Sequence, residues 1–474
     1  MPAITVSSSK DHPPHTRLRR RILRAGAWTL ASHGAELLTR LASNLILTRL
    51  LFPDAFGMVA LSTALIVGLQ LVSDFGVRTV IIQSPSGDSA DFLRSAWVFQ
   101  CSRGLLLWLA LSLICLALYI PSIHALVPAS SALADPLFPL VTLAQGLTLI
   151  ATGLESTAVC LCARLLDLKP IFRLEIISRL TSIPIMIGWA YISPTVWAVV
   201  AGILVSSLTR LLMSHFAMPG PRMALVSKRE HIREIVDFGR WINLSSFASF
   251  VSSQSYTIVL GILLPGSTLG LFYIAQMLSG AVEGLLERLN GSLTLPVLAE
   301  VVRTNPTALR DRYYRFRLPI ELVAAGSAGF LLAAGDLIVR TLYDSRYEDA
   351  GFMLQIMSFG LLIYPFQLIR SAFTAIARTN IVAWLSVLQA ISLIFCLGLG
   401  YYLGGTYGAI FGISASRLIP SIIFLWLSYR HGWLSIPGEL RWLPAYILGI
   451  LVGRLVDNFS PTFHMTNLRH ILGW

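Results

Sequence analysis

Apolar residues in this sequence form long runs that short polar segments separate. A helix needs about 20 mainly apolar residues to cross the hydrocarbon core of a bilayer. Runs of this kind predict twelve membrane-spanning helices. The twelve lie near 25–50, 56–74, 97–120, 136–162, 171–192, 195–217, 238–264, 268–288, 317–339, 350–373, 380–402 and 405–429. A further stretch, 442–456, is short and contains Arg454, and it is predicted as either a thirteenth span or an interfacial helix.

The composition agrees with a polytopic membrane protein. Hydrophobic residues make up 55% of the 474 residues and charged residues only 13%, whereas a soluble domain carries about 25% charged residues. The net charge of +12 does not predict nucleic-acid binding, because the basic residues are spread between the apolar runs. The five cysteines fall in or beside apolar runs without the spacing of a metal site, so neither a metal nor a cofactor is predicted.

The charges of the connecting loops predict the orientation. Loops that contain neither Lys nor Arg alternate with loops that do, and the segment 340–349 is the exception, with Arg340 and Arg346 beside acidic residues. The positive-inside rule then places the N-terminus in the cytoplasm. Residues 1–24 are polar and basic, and the apolar run after them is too long for the core of a cleaved signal peptide. They are predicted to form a cytoplasmic tail.

The two halves of the chain share a pattern. Gly26-Ala27-Trp28 precedes Gly57 by the same distance at which Gly239-Arg240-Trp241 precedes Gly270. We call the separation between Gly57 and Gly270 the repeat offset. Because each half holds six spans, both halves enter the membrane in the same sense. The predicted fold is therefore all-α, with two parallel-repeat bundles of six transmembrane helices around a central cleft. Its predicted parts are a tail (1–24), an N-terminal bundle (25–217), a basic cytoplasmic linker (218–237), a C-terminal bundle (238–429) and a C-terminal tail (430–474).

Motifs in the first 80 or so residues resemble those of a known family. They are Gly26-Ala27-Trp28, the run LTRLLFPDAFG from Leu47 to Gly57, Asp74-Phe75-Gly76 and Ile82-Gln83. Together they resemble the polysaccharide transporter family, the oligosaccharide-lipid flippases of the multidrug/oligosaccharidyl-lipid/polysaccharide (MOP) superfamily. The resemblance implies a MATE-like fold of six plus six helices. It also implies export of undecaprenyl-pyrophosphate-linked oligosaccharides across the bacterial inner membrane, with coupling to an ion gradient and with polysaccharide polymerase and export proteins as partners.

A polar stripe runs along the first predicted span. His33, Glu36, Arg40 and Asn44 follow one another at spacings of three, four and four residues, which places them on one helical face. Charged residues inside a membrane usually face a cavity or a partner, so the stripe is predicted to line the cleft. In one interpretation, Glu36 and Arg40 form a structural salt bridge. In the other, Arg40 and Asn44 bind the pyrophosphate cargo and His33 or Glu36 takes part in ion coupling, since a guanidinium suits bidentate phosphate contacts.

Further polar residues lie inside the other predicted spans. Arg179, Gln254, Gln276 and Arg370 are candidates for substrate binding, because they offer hydrogen bonds to phosphates or sugar hydroxyls. Glu155, Glu283 and Glu321 are candidates for ion coupling, and Glu155 is predicted to lie in the middle of the fourth span. Each could equally pair with a neighbouring helix.

Two other functions remain open from the sequence. A multidrug antiporter of the same superfamily would share the fold, but the many arginines in the spans favour an anionic cargo. A membrane-embedded polysaccharide polymerase or glycosyltransferase would need a large extramembrane loop with catalytic acids. The longest internal loop, around 289–316, is basic, and no catalytic motif is found. The sequence therefore favours a flippase for exopolysaccharide, capsule or O-antigen units over an enzyme.

Overall fold

The computed structural model of the protein describes residues 34–459 apart from 126, 291–293, 295–297, 299, 303–308, 377 and 434. Within these residues the regular structure is helical and contains no β-strand. The tail 1–24, Gly26-Ala27-Trp28 and His33 lie outside the described residues. The predicted all-α membrane fold is confirmed.

Nine helices form the N-terminal half. They are α1 (34–50), α2 (Pro53–Val72), α3 (Val77–Gln83), α4 (Ala90–Ala117), α5 (Pro121–His124), α6 (Phe138–Leu154), α7 (Ala158–Arg164), α8 (Lys169–Ile192) and α9 (Val196–Phe216). In the described part of the C-terminal half, the principal helices number ten. They are α10 (Arg229–Ser253), α11 (Ser255–Leu263), α12 (Gly266–Leu289), α13 (Leu309–Leu342), α14 (Asp349–Gln367), α15 (Ile369–Ala375), α16 (Thr379–Ala415), α17 (Leu418–Arg430), α18 (Ile436–Glu439) and α19 (Leu443–Phe459).

Each of the twelve predicted spans is mainly helical in its described residues. By length and apolar composition alone, eight of the described helices qualify as spans, or nine if the bent pair α6 and α7 is one span. The difference from twelve has three causes. Helix α1 is described only from residue 34, and α8 carries four charged residues. The stretch Asn380–Arg430 counts as one helix, although the backbone reverses at Gly404 and Gly405, so it contains two spans.

Two spans are broken at equivalent positions. The fourth span breaks after Leu154, and α7 then continues at an angle of 60° to α6. The tenth breaks after Gln367, where Leu368 separates α14 from α15. Leu154 and Gln367 are separated by the repeat offset. The break puts Glu155 at a helix end, so its predicted position in the middle of a continuous span is wrong.

The two halves meet where α2 crosses α12, at a contact that we call the Gly57 crossing. A Cβ atom at Gly57 would collide with the carbonyl of Gly266, and one at Gly270 would collide with the carbonyl of Pro53. Pro53 and Gly266 are also separated by the repeat offset. The contact is therefore symmetric about the repeat axis. Glycine is required at Gly57 and Gly270 because the two backbones touch.

The thirteenth apolar stretch forms α19, which packs along α13. Gly449 lies against the backbone of Gly326, and Gly453 lies against Ala333 further along both helices. Residue numbers rise together along the two helices, so they run parallel. At 17 residues, α19 has a length of about 25 Å. It runs along a span but is shorter than the hydrocarbon core of about 30 Å, so the thirteenth span and the interfacial helix both stay predictions.

Candidate functional site

A cavity of about 320 Å³ lies between the two halves, next to the Gly57 crossing. Three residue groups dominate its walls. They are Glu36, Leu37 and Arg40 on α1; Ala60, Thr63 and Ala64 on α2; and Tyr273, Gln276, Met277, Ser279, Gly280, Ala281 and Glu283 on α12. The spacing of three and four residues explains why one face of α12 supplies so many of them. The junction of α10 and α11 adds Gln254, Tyr256 and Thr257, and Arg417 adds a second arginine.

Helix α1 contributes charge to the cavity. The carboxylate of Glu36 accepts a hydrogen bond of 2.7 Å from the guanidinium of Arg179 on α8. Arg179 on another helix is thus the ion-pair partner that the described structure gives Glu36, and no ion pair of Glu36 with Arg40 is found among the described residues. Arg40 is exposed to the cavity and forms no ion pair with any described residue. No carboxylate of the described residues therefore neutralises its charge.

Asn44 lies one turn further along α1 and is buried away from the cavity. Its side-chain amide donates to the sulfur of Met277 at 2.7 Å. Because sulfur is a weak acceptor, this contact mainly joins α1 to α12. The structure thus gives Asn44 a contact between the two halves, and its predicted role in substrate binding stays a prediction.

The C-terminal half contributes hydrogen-bonding groups. The amide of Gln276 donates to the hydroxyl of Tyr256, and Gln254 lines the same cavity at the point where α10 gives way to α11. Two predicted residues, Gln254 and Gln276, are thus brought together. Sequence reasoning missed Tyr256, Tyr273 and Ser279, because a hydroxyl in an apolar run gives no signal of its own.

A salt bridge joins α12 to the segment between α16 and α17. Arg417 donates to both carboxylate oxygens of Glu283, at 2.7 and 3.2 Å. Both side chains line the cavity and are about one-quarter exposed. Arg417 was not predicted as a site residue, although it is an arginine within the predicted span 405–429 and meets the criterion that selected Arg40. The pair leaves the carboxylate of Glu283 neutralised.

Arg179, the partner of Glu36, does not line the cavity, and three further predicted residues also lie outside its lining. Glu155 accepts a hydrogen bond of 2.9 Å from Arg210 on α9, next to the break in the fourth span. Glu321 is buried beside Arg317, which also binds Glu439 in the segment before α19. Arg370 donates a long hydrogen bond of 3.4 Å to Ser386. Their proposed roles in ion coupling and substrate binding remain predictions.

A second contact next to the Gly57 crossing also joins the two halves at this end of the cavity. We call it the Arg346 clasp. Arg346 donates to the carbonyls of Thr48 and Arg49 at the end of α1, at 3.2 and 3.1 Å. The hydroxyl of the buried Tyr347 donates to the carbonyl of Leu51 at 2.9 Å. Helix-end carbonyls lack partners within their own helix, so the loop between α13 and α14 satisfies them and ties the halves together.

Asp344 holds Arg346 in place. It accepts hydrogen bonds from the guanidinium at 2.8 and 3.1 Å. Partial burial tends to raise the pKa of Asp344, but the hydrogen bonds from Arg346 and Ser345 outweigh this effect and lower the pKa below its ordinary value. The carboxylate is consequently ionised at neutral pH and keeps the guanidinium aimed at α1.

At the opposite end of the bundle, α10 crosses to the N-terminal half. Gly239 packs against the backbone of Phe75, and Lys228 donates to Asp91 at 2.6 Å. The hydrogen bond and charge of Asp91 raise the pKa of Lys228. Both side chains of this ion pair are about half exposed, and exposed pairs stabilise little. We call this region the linker end, because it adjoins the basic segment 218–237.

Comparison with known proteins identifies the fold. The chain superposes on a structure of the lipid II flippase MurJ in an inward closed conformation with a TM-score of 0.64, over 93% of this chain and 99% of that one, at 14% identity. An inward-facing multidrug resistance MATE transporter of the MOP superfamily gives a TM-score of 0.60, over 83% of this chain and 94% of that one, at 13% identity. The fold is that of the MOP superfamily.

Sequence comparison identifies the family. The chain is 22% identical over 446 residues to the lipopolysaccharide biosynthesis protein WzxC of Escherichia coli (strain K12), covering 91% of this chain and 86% of the relative. The model of the family described as "polysaccharide biosynthesis protein" matches residues 46–351, which is more than half of the chain. The sequence therefore belongs to this family of polysaccharide biosynthesis proteins, and it is a multi-pass membrane protein with the MOP transporter fold.

Proposed function

We propose that the protein is a flippase in the bacterial inner membrane that moves undecaprenyl-pyrophosphate-linked oligosaccharides for exopolysaccharide, capsule or O-antigen synthesis. One observation carries this proposal. Arg40 is exposed in a cavity between the two halves and has no ion pair among the described residues. A planar guanidinium of this kind binds phosphate oxygens in pairs. The family match and the likeness to the flippase MurJ support the same conclusion.

The orientation follows from the charges of the loops. The linker end carries the basic segments that include Lys228 and Arg229, and the positive-inside rule assigns such segments to the cytoplasm. The Gly57 crossing and the Arg346 clasp then lie on the periplasmic side. On this assignment, the periplasmic side is closed by direct backbone contacts. The lipid-linked cargo enters from the linker end.

The proposed transport cycle uses the two halves as rigid bodies. The pyrophosphate binds Arg40 while the polyprenyl chain stays in the bilayer. The halves rock, so that the linker end opens to admit the cargo and closes again before the Gly57 crossing and the Arg346 clasp separate. A cavity of about 320 Å³ is at the lower end of the range for small-molecule sites. A complete oligosaccharide therefore needs the wider cavity of an open state.

The charges of the cavity favour an anionic cargo over the organic cation of a multidrug antiporter. Glu36 is paired with Arg179, and Glu283 is paired with Arg417. Both carboxylates that line the described cavity are thus neutralised, whereas Arg40 forms no ion pair with a described residue. A cation would have to displace an arginine from one of these carboxylates, whereas a pyrophosphate can bind the guanidinium of Arg40 directly.

Substitution of Arg40 tests the proposal in cells that depend on this protein for their surface polysaccharide. Arg40→Ala is expected to abolish export and to make the completed oligosaccharide-lipid accumulate on the cytoplasmic face. Arg40→Lys is expected to retain part of the export, because it keeps the charge and loses the bidentate geometry. Radiolabelled lipid intermediates are measured, with protein amounts in the membrane as the reference.

Arg173→Ala provides the control, because Arg173 lies near the start of α8 and does not line the cavity. This variant should export normally. If the Arg40→Ala protein is present in normal amounts and export is unchanged, Arg40 does not bind the substrate. If cells without the protein fail to accumulate the oligosaccharide-lipid on the cytoplasmic face, the flippase assignment itself is wrong.

A further inference from the structure

The two central walls of the cavity occupy equivalent positions in the repeat but differ in chemistry. The repeat offset carries Ala60, Thr63 and Ala64 on α2 onto Tyr273, Gln276 and Met277 on α12, and all six line the cavity. The α2 wall is formed by small side chains. The α12 wall carries a phenol, an amide and a thioether at the same three places. The N-terminal half thus supplies space where the C-terminal half supplies hydrogen-bonding groups.

Ser279 shows that these groups are not saturated by the protein. Its side chain lines the cavity and is 1% exposed, and its hydroxyl has no hydrogen-bond partner in the described structure. A buried polar group without a partner costs about 1–3 kcal/mol. Because Ser279 lies in the wall of the cavity, a ligand that reaches this wall can complete the hydrogen bonds of its hydroxyl.

The neighbours of Ser279 have matching chemistry. Gln276 lies three residues earlier on α12, and its amide donates to the hydroxyl of Tyr256. The amide oxygen of Gln276 can still accept, and the oxygen of Tyr256 can bind a further group. Together, the three side chains present neutral donors and acceptors and no charge. Neutral groups that both donate and accept suit hydroxyl groups, whereas the charge of Arg40 suits phosphate.

We propose that Tyr256, Gln276 and Ser279 form a subsite for the sugar next to the pyrophosphate, and that Ala60 and Ala64 set the clearance opposite it. The inference rests on the proposed function, because it assigns the sugar portion of the same cargo. The N-terminal half then binds the charged head group through Arg40. The C-terminal half recognises the sugar, and the small side chains on α2 limit its size.

Binding measurements on the purified full-length protein test the sugar subsite. The probes are undecaprenyl pyrophosphate without sugar, with one N-acetylhexosamine and with a tetrasaccharide. Ser279→Ala and Gln276→Leu are each expected to weaken binding of the two sugar-bearing lipids by about threefold to tenfold, the usual range for one hydrogen bond. Binding of the sugar-free lipid should stay within about twofold. Ser112→Ala is the matched control, because the Ser112 hydroxyl donates to the carbonyl of Trp108 in its own helix and to no other group of the described residues.

Enlarging the α2 wall tests the clearance. Ala60→Leu is expected to weaken binding of the tetrasaccharide lipid at least threefold more than that of the single-sugar lipid, because the larger side chain fills part of the cavity. Since Ala60 is buried, Ala60→Val serves as the milder variant if the leucine variant fails to fold. Thermal unfolding of each purified variant verifies that it is folded.

The outcomes separate this inference from the proposed function. If the wild-type protein binds none of the three lipids, both are wrong. If it binds all three, but Ser279→Ala and Gln276→Leu weaken the sugar-free lipid equally or weaken none, the sugar subsite is wrong and the flippase assignment stands. If Ala60→Leu weakens binding of both sugar-bearing lipids equally, the small side chains on α2 do not limit the size of the sugar.

Discussion

Helices α2 and α12 occupy equivalent positions in the two halves, yet they are alike at one end and different at the other. At the Gly57 crossing, both present glycine to the other's backbone. Farther along, beside the cavity, Thr63 on α2 corresponds to Gln276 on α12. Where two backbones touch, only glycine fits both partners. Around a cavity, no such constraint acts, and the equivalent side chains differ in size and polarity.

The largest effect is expected from Gly57→Leu, which disrupts the Gly57 crossing, the region where α2 and α12 are alike. The new side chain would collide with the backbone of Gly266, and backbone cannot move aside as a flexible side chain can. We expect a loss of about 3 kcal/mol or more in stability, or separation of the halves at this crossing. The measurement is the thermal unfolding midpoint in detergent together with the yield of folded protein.

Gly188→Leu is the control for that experiment. A Cβ atom at Gly188 would meet no other atom within 4 Å, and Gly188 lies on α8, away from the crossing. This variant should unfold near the wild-type temperature. If Gly57→Leu unfolds within about 2 °C of it, the Gly57 crossing does not hold the halves together.

Removing one member of the Glu283–Arg417 pair tests the cavity, where α2 and α12 differ. The expected effect is smaller. Arg417→Ala leaves the carboxylate of Glu283 without its bidentate partner. Because both side chains are about one-quarter exposed, we expect a moderate destabilisation of about 1–2 kcal/mol. The double variant Glu283→Gln with Arg417→Gln should recover part of it, since no unpaired charge remains. Thermal unfolding of the three proteins measures the difference.

Arg233→Ala supplies the comparison for the arginine variant, because Arg233 forms an exposed ion pair of 3.7 Å with Asp237. Its unfolding temperature should not change measurably. If the double variant is no more stable than Arg417→Ala, unpaired charge is not the cause of the loss.

The smallest effect is expected at the Arg346 clasp. Arg346→Ala removes the two hydrogen bonds to the end of α1 while the Gly57 crossing remains, so the cavity should open at this end more often without unfolding. We expect labelling of a cysteine introduced at Ala64 by a membrane-impermeant thiol reagent, added from outside, to rise about fivefold. A fivefold rise in the open population corresponds to the net free energy of about one hydrogen bond. The five native cysteines are replaced first.

Arg340→Ala is the matched control for the clasp. Arg340 forms an exposed ion pair with Asp336 on its own helix and contributes nothing to the clasp. Labelling in this variant should equal that in the parent protein. Equal labelling with Arg346→Ala would show that the clasp does not restrain opening.

Much of the fold was predictable from apolar runs. The spans are set by length and hydropathy, because a bilayer demands about 20 apolar residues for each crossing. The repeat offset, read from Gly57 and Gly270, also pointed to two positions that touch in the structure. The breaks after Leu154 and Gln367 were not predicted. Apolar composition continues across both breaks. No proline lies near the break after Leu154, whereas Pro365 lies two residues before the break after Gln367 and was a signal that the prediction did not use.

The site was predicted in part. Arg40, Glu36, Gln254, Gln276 and Glu283 were selected as polar groups inside spans, and all five line one cavity. Their partners were not predictable. Helical spacing made Arg40 the natural partner of Glu36, but Arg179 approaches from α8. Spacing along one helix describes neighbours within that helix and carries no information about which other helix packs beside it.

The sequence by itself determined the class of molecule, the number of apolar segments and the repeat, because these depend on composition and on position along the chain. The tertiary structure alone decided which of the arginines pair with carboxylates of the described residues. Arg40, Arg179 and Arg417 all lie within apolar runs, but only packing brings carboxylates to the last two. Whether a charge is neutralised depends on distances of about 3 Å between different helices. Such distances are set when the helices pack together. The residue pattern within a single helix does not specify them.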